Sequence, residues 1–60
     1  MKVKTPYGVG QLRDNMGNGF VSVRLPVNEV TNEIPLDQVI TRSDKTGLFK
    51  FKESDIEELK

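Results

Sequence analysis

Apolar and polar residues alternate in several short stretches of this chain, and such alternation is typical of half-buried β-strands. The clearest stretch runs from Phe20 to Leu25, where Val21, Val23 and Leu25 fall on one face of the predicted strand. Four more predicted strands are shorter and cover residues 3–5, 11–14, 30–34 and 39–41. The pattern therefore predicts a mainly β protein, in which five short strands curl into a small barrel that hides most of its edges.

Two predicted turns contain the residues that a sharp change of chain direction requires. In the first turn Pro6 fixes its own φ, while Gly8 and Gly10 allow backbone paths that other residues resist. In the second, the pair Asn18-Gly19 suits the positive φ values of a tight hairpin. These turns predict antiparallel pairing of consecutive strands in a strongly bent sheet.

A short helical turn is predicted before the last of the five strands. Proline is well tolerated at a first helical position, so Pro35 to Gln38 suits one turn of 3₁₀ helix. Five short strands with such a turn before the last describe an SH3-like barrel. We therefore expect residues 2–41 to form an SH3-like barrel.

Residues 42–60 follow a different pattern, which predicts a C-terminal extension of the barrel. A polar turn at 42–47 leads into 48–52, where Phe49 and Phe51 alternate with lysines and predict a short strand. The extension has more apolar side chains than a small barrel needs for its own core. We therefore expect it to pack on the barrel or on a partner, which includes a second copy of the chain.

The end of the chain predicts a short helix. Ser54 and Glu57 have the spacing of a capping box, which predicts a helix from about Asp55 to Lys60. Isolated helices below about 12–15 residues are marginal in water, so this helix must pack against another surface to form.

The chain contains no cysteine and no histidine. It therefore lacks the commonest general base, the commonest thiol nucleophile and the usual zinc ligands. No spacing of the aspartates and glutamates places two of them at one site. We expect no enzyme activity, no bound metal and no cofactor.

The sequence favours a cytoplasmic or nuclear protein over a secreted one. The basic N-terminus, Met1 to Lys4, is not followed by the apolar segment of a signal peptide. No apolar run approaches the roughly 20 residues of a membrane span. The lack of cysteine fits a reducing compartment and predicts no disulfide scaffold.

The charges are balanced overall but unevenly distributed. Nine basic and nine acidic residues give a net charge of zero, yet residues 1–28 contain four basic residues and one acidic residue. Domains dedicated to nucleic acid usually have a basic excess, because neutralising phosphates supplies most of their affinity. A local patch of Lys2, Lys4, Arg13 and Arg24 keeps nucleic-acid binding as an alternative.

Aromatic residues indicate a surface that binds protein. Tyr7 lies on the glycine-rich turn, and Phe20 lies on the face of its strand opposite the predicted core. Aromatic residues dominate the binding energy of many protein interfaces. We expect Tyr7 and Phe20, with Arg13 and Arg24 nearby, to bind a protein or peptide. Alternatively, an apolar residue of the extension covers Phe20.

Three segments, 3–12, 20–25 and 34–39, together resemble small SH3-like and Tudor-like barrels. The turn Thr5-Pro6-Tyr7-Gly8-Val9-Gly10 is similar to turns in the RNA-polymerase-interacting module of CarD-like transcription factors and in the Tudor-like C-terminal module of UvrD-type helicases. The resemblance implies a non-catalytic docking module, an adaptor that binds a protein and sometimes lies beside nucleic acid in transcription. A nucleic-acid-binding barrel of KOW or Tudor type and a homo-oligomerising structural subunit are the alternatives.

Overall fold

Six strands pair in one antiparallel sheet in the computed structural model, which describes residues 1–59. They are β1 (Lys2–Thr5), β2 (Gly8–Gly17), β3 (Phe20–Pro26), β4 (Val39–Arg42), β5 (Thr46–Lys52) and β6 (Glu57–Leu59). Their order in the sheet is β4-β5-β3-β2-β1-β6. The prediction of a mainly β protein is confirmed. A closed barrel of five strands is not found, because β4 and β6 form the two open edges of a six-stranded sheet.

The first turn is shorter than predicted, because β2 begins at Gly8 rather than at Gln11 and so includes Gly8 and Gly10. Pro6 and Tyr7 connect β1 to β2, since Thr5 pairs with Gly8. The Thr5 hydroxyl accepts a hydrogen bond from the Tyr7 backbone N–H at 3.1 Å and donates one to the Gly8 carbonyl oxygen at 2.8 Å. Gly8 has a φ of +118°, which other residues rarely adopt.

The hairpin between β2 and β3 is as predicted. Asn18 has a φ of +56° and Gly19 a φ of +82°. Two positive φ values in succession define a type I′ turn, whose twist matches that of the flanking strands. Beyond the turn, irregularities in pairing at Arg13 and Met16 bend β2.

The predicted strand at 30–34 is wrong, because residues Thr31–Glu33 form a 3₁₀ turn. Side-chain hydrogen bonds explain the difference. The Asn28 side-chain oxygen accepts from the Thr31 N–H at 3.0 Å, and the Thr31 hydroxyl accepts from the Asn28 N–H at 2.8 Å. Such local bonds compete with strand pairing, and Thr31 is buried.

The next two predicted elements are confirmed. Residues Leu36–Gln38 form a 3₁₀ turn directly after Pro35, and β4 follows at Val39–Arg42. Strand β5 begins at Thr46, two residues earlier than predicted, and pairs with both β3 and β4.

The predicted C-terminal helix is wrong within the described residues, and Lys60, its expected last residue, lies outside them. Residues Glu53–Asp55 form a 3₁₀ turn, and β6 pairs antiparallel with β1. The Glu53 N–H donates to the Gly19 carbonyl oxygen at 2.8 Å. A helix of six residues gains little stability alone, whereas a strand satisfies the backbone groups along the free side of β1.

One apolar cluster forms the core on one face of the sheet. Val21, Val23 and Leu25 of β3 are buried in it, which confirms the face predicted for that strand. Phe49 and Phe51 of β5 are its largest side chains and are almost completely buried. Half-buried apolar residues pack around this cluster: Tyr7, Leu12, Val39 and Ile56.

Candidate functional site

The face of the sheet opposite the core is the candidate site, and we call it the outer face. Successive side chains of a strand point to opposite faces, so residues that alternate with core residues lie on it. Pairing places Lys2 opposite Gln11, Gln11 opposite Arg24, and Arg24 opposite Leu48. The outer face comprises Lys2, Lys4, Val9, Gln11, Phe20, Ser22, Arg24, Pro26, Leu48, Lys50 and Lys52.

Basic side chains are concentrated on the outer face. Five of its members are basic: Lys2, Lys4, Arg24, Lys50 and Lys52. Among the described residues, strand pairing adds two acidic neighbours, Asp14 opposite Ser22 and Glu57 opposite Lys4. Two further acidic residues, Asp37 and Asp55, lie beside Lys50 and Lys52 at one end of this face. The basic excess over the whole face is therefore one charge, and the cations without an acidic neighbour in their groove are Lys2 and Arg24.

A groove of about 290 Å³ crosses the outer face near one end of β3. We call it the apolar groove. Its apolar lining consists of Val9, Gly10, Leu25 and Pro26, and its polar lining of Lys2, Gln11, Arg24 and Thr46. Lys2 and Arg24 thus flank aliphatic surface, an arrangement that can contact an apolar group and a carboxylate at once.

A second groove, of about 520 Å³, lies near the other end of β3, and we call it the aromatic groove. Its lining is Phe20, Pro35, Asp37, Gln38, Lys50, Lys52 and Asp55. The Lys50 ammonium nitrogen lies 4.8 Å from the centre of the Phe20 ring, within the range of a cation–π contact. Phe20 is half-buried and is partly covered by this lysine, whereas Phe49 and Phe51 lie in the core.

The residues predicted to bind protein are distributed over several places. Tyr7 is half-buried, and its ring centre lies 6.0 Å from that of Phe51 at an interplanar angle of 37°. Arg13 is exposed at an irregularity of β2. Phe20 and Arg24 share the outer face but line different grooves.

The residues predicted for nucleic acid are brought closer together. Lys2 and Arg24 line the same apolar groove. Lys4 lies on the same strand as Lys2 and lines a smaller cleft with Asp55 and Glu57. Three of the four predicted residues therefore share the outer face, and Arg13 is the exception.

Two basic residues of the outer face, Lys50 and Lys52, are not among the site residues predicted from the sequence. Their alternation with Phe49 and Phe51 indicates that the lysines point away from an apolar surface. The alternation does not indicate which strands lie next to β5 in the sheet. Because β5 pairs with β3, these two lysines lie next to Phe20 and Ser22.

Residues 1–59 contain no group of three or more acidic side chains placed to hold a metal ion. They also contain no helix long and apolar enough to cross a membrane. Comparison with known proteins gives no matching family, no matching curated protein and no matching solved structure.

Proposed function

We propose that this chain is a non-catalytic docking module that binds an acidic segment of another protein on the outer face of its sheet. The observation that carries the proposal is the pair of cations, Lys2 and Arg24, that line the apolar groove, whose lining contains no acidic residue. Complementary charge steers a partner to a surface and selects among partners. Of the four residues predicted from the sequence, the proposal keeps Phe20 and Arg24 as contacts.

We further propose that the domain is an SH3-like barrel with β4 as an added edge strand. The strands other than β4 have the order β5-β3-β2-β1-β6. A 3₁₀ turn, Glu53–Asp55, directly precedes the last strand, which pairs with the first. This succession supports the proposal, because a 3₁₀ turn before the last strand is expected of that fold. In this proposal the 3₁₀ turn before the last barrel strand is Glu53–Asp55, in the C-terminal extension, and the turn predicted at residues 35–38 precedes the added strand β4.

The linings of the grooves favour a protein ligand. Val9 and Pro26 give the apolar groove an exposed aliphatic surface, and none of its lining residues is aromatic. Proteins that bind single-stranded nucleic acid use aromatic side chains on which bases stack. Phe20 is the aromatic residue of the outer face, and Lys50 lies over its ring.

Affinity capture with charge-reversed variants tests the proposal. Tagged wild type, Arg24→Glu and Arg42→Glu are incubated with native lysate treated with nuclease, and bound proteins are identified by mass spectrometry. Arg42 is the matched control, because it is exposed in β4 and lines neither groove. We expect partners that wild type and Arg42→Glu retain and Arg24→Glu loses. If all three proteins retain the same partners, the outer face is not the docking surface.

Nucleic-acid binding is the second candidate, favoured by the presence of Lys2, Lys4 and Arg24 on one face. Its affinity would fall steeply with salt concentration, because phosphate contacts release counterions. Fluorescence anisotropy with a labelled ten-nucleotide oligothymidine at increasing salt tests it. No binding at low salt would exclude single-stranded DNA as the ligand.

A further inference from the structure

We propose that the apolar groove is the subsite that gives the docking module its specificity. The groove takes one aliphatic side chain of an acidic segment, and carboxylates on either side of that side chain meet Lys2 and Arg24. This inference rests on the proposed function and names the chemistry of the partner. It predicts that acidity alone is not sufficient for tight binding.

The apolar part of the groove is available to a ligand. Val9 is 51 % exposed and lies near the start of β2, opposite Lys4 of β1. Pro26 is exposed beside it at the end of β3. An aliphatic side chain placed against these two residues would remove apolar surface from water on both partners, which is the main favourable term in association.

The position of the groove on an open surface suits a side chain better than a separate small molecule. Sites for small ligands commonly measure about 300–1,000 Å³ and enclose most of the ligand. The apolar groove measures about 290 Å³ and lies on the surface of a sheet. A peptide can place one side chain in it while its backbone remains outside.

The spacing of the two cations fits an extended acidic segment. Lys2 and Arg24 each pair with Gln11, from opposite sides, so they are two strand positions apart. Neighbouring strands lie about 4.8 Å apart, which separates the two backbones by roughly 10 Å. In an extended segment, the residues two positions before and two positions after the aliphatic residue share its face and lie about 13 Å apart. Acidic residues at these two positions can reach both cations, because the lysine and arginine side chains are long enough to cover the remaining distance.

Nuclear magnetic resonance titration with two capped peptides tests this inference. The probes are acetyl-Glu-Asp-Leu-Asp-Glu-amide and acetyl-Glu-Asp-Ser-Asp-Glu-amide, which differ in one side chain and have equal charge. We expect the leucine peptide to bind about tenfold more tightly, the change that burying one aliphatic side chain supports. Its largest shift changes should occur at the amides of Val9, Gly10 and Leu25.

Two matched substitutions then separate the aliphatic contact from the charge contact. Val9→Ser should remove the preference for the leucine peptide, whereas Val30→Ser should keep it. Val30 is an exact match for exposure, at 51 %, and lies in the segment between β3 and β4. Arg24→Gln should weaken both peptides equally, and Arg42→Gln should weaken neither.

The outcomes distinguish the two proposals. Equal affinity for the two peptides, with shift changes on the outer face, would overturn the groove assignment and leave the docking proposal standing. A leucine preference that persists in Val9→Ser would also overturn the assignment. Binding of oligothymidine with no binding of either peptide would overturn both proposals. No binding of any of the three probes would overturn the groove assignment.

Discussion

Gly10 lies so close to the carbonyl oxygen of Arg24 that no Cβ atom fits between them. A Cβ at this position would also stand 2.6 Å from a methyl carbon of Leu25 and 2.9 Å from one of Val23. Strand β2 can therefore approach β3 at this point only because residue 10 has no side chain. Gly10 and Leu25 both also line the apolar groove.

Replacing Gly10 with alanine should destabilise the fold. Because the neighbour is backbone, the strands must separate, and we expect Gly10→Ala to lower the free energy of unfolding by about 1–3 kcal/mol, as overpacked cores do. Urea denaturation followed by circular dichroism measures it. Gly17→Ala is the control, since a Cβ at Gly17 meets nothing within 4 Å but the φ of +79° costs roughly 1 kcal/mol. A smaller loss for Gly10→Ala than for Gly17→Ala would contradict the close approach.

Tyr7 should contribute to stability through its contact with Phe51. The two rings are 6.0 Å apart and tilted, a favourable aromatic geometry. We expect Tyr7→Ala to lower the free energy of unfolding by about 1–2 kcal/mol, whereas Tyr7→Phe should change it by less than about 0.5 kcal/mol. Thermal denaturation of the three proteins measures both effects. If Tyr7→Ala is as stable as wild type but loses partner binding, Tyr7 contacts the partner, as the sequence predicts.

The Thr31 hydroxyl should stabilise the segment between β3 and β4. It accepts from the Asn28 N–H at 2.8 Å and donates to the Pro26 carbonyl oxygen at 2.9 Å. Thr31→Val keeps the shape but removes both bonds, and we expect a loss of about 1–3 kcal/mol in the free energy of unfolding, the cost of unpaired buried polar groups. Thr31→Ser keeps the hydroxyl and is the control. A loss for serine with none for valine would show that packing of the methyl group matters instead.

The C-terminal residues should show strand behaviour in solution. Strand β6 pairs Val3 with Glu58 and Lys4 with Glu57. We expect the ¹³Cα shifts of residues 57–59 to have extended-chain values and cross-strand nuclear Overhauser effects to connect β6 to β1. The pairing of β1 with β2 provides the reference within the same spectra. Helical shifts at residues 57–59 would contradict strand β6 and support the helix that the capping-box spacing predicts.

Local chemistry explains which elements the sequence could predict. Alternation over Phe20 to Leu25 and the pair Asn18-Gly19 act between near neighbours in the chain, so their effects are visible in the sequence. The strand expected at 30–34 depended on alternation too, but it competed with hydrogen bonds between Asn28 and Thr31. The C-terminal strand depends on the unpaired side of β1, more than fifty residues away.

The candidate site was harder to predict than the fold, for the same reason. Alternation alone places Phe20 and Arg24 on a face opposite the core. It does not indicate that β5 and β1 lie on either side of the β2–β3 hairpin, which is what brings Lys50 and Lys2 to that face. The basic excess is therefore a property of strand order, and a linear count of charges does not contain it.

A double-mutant cycle should measure the contact between Phe20 and Lys50. The ammonium nitrogen lies 4.8 Å from the ring centre, and such contacts contribute about 0.5–1 kcal/mol at exposed sites. Phe20→Leu removes the ring quadrupole, Lys50→Met removes the charge, and the double variant removes both. We expect the cycle, measured by urea denaturation, to give a favourable coupling of about 0.5–1 kcal/mol.

Lys45 provides the control for this cycle, because its carbonyl oxygen accepts from the Val27 N–H at the far end of β3 from Phe20. Distant pairs are additive, so a cycle of Phe20→Leu with Lys45→Met should give a coupling near zero. If the Phe20 and Lys50 cycle is equally small, the lysine does not hold the ring.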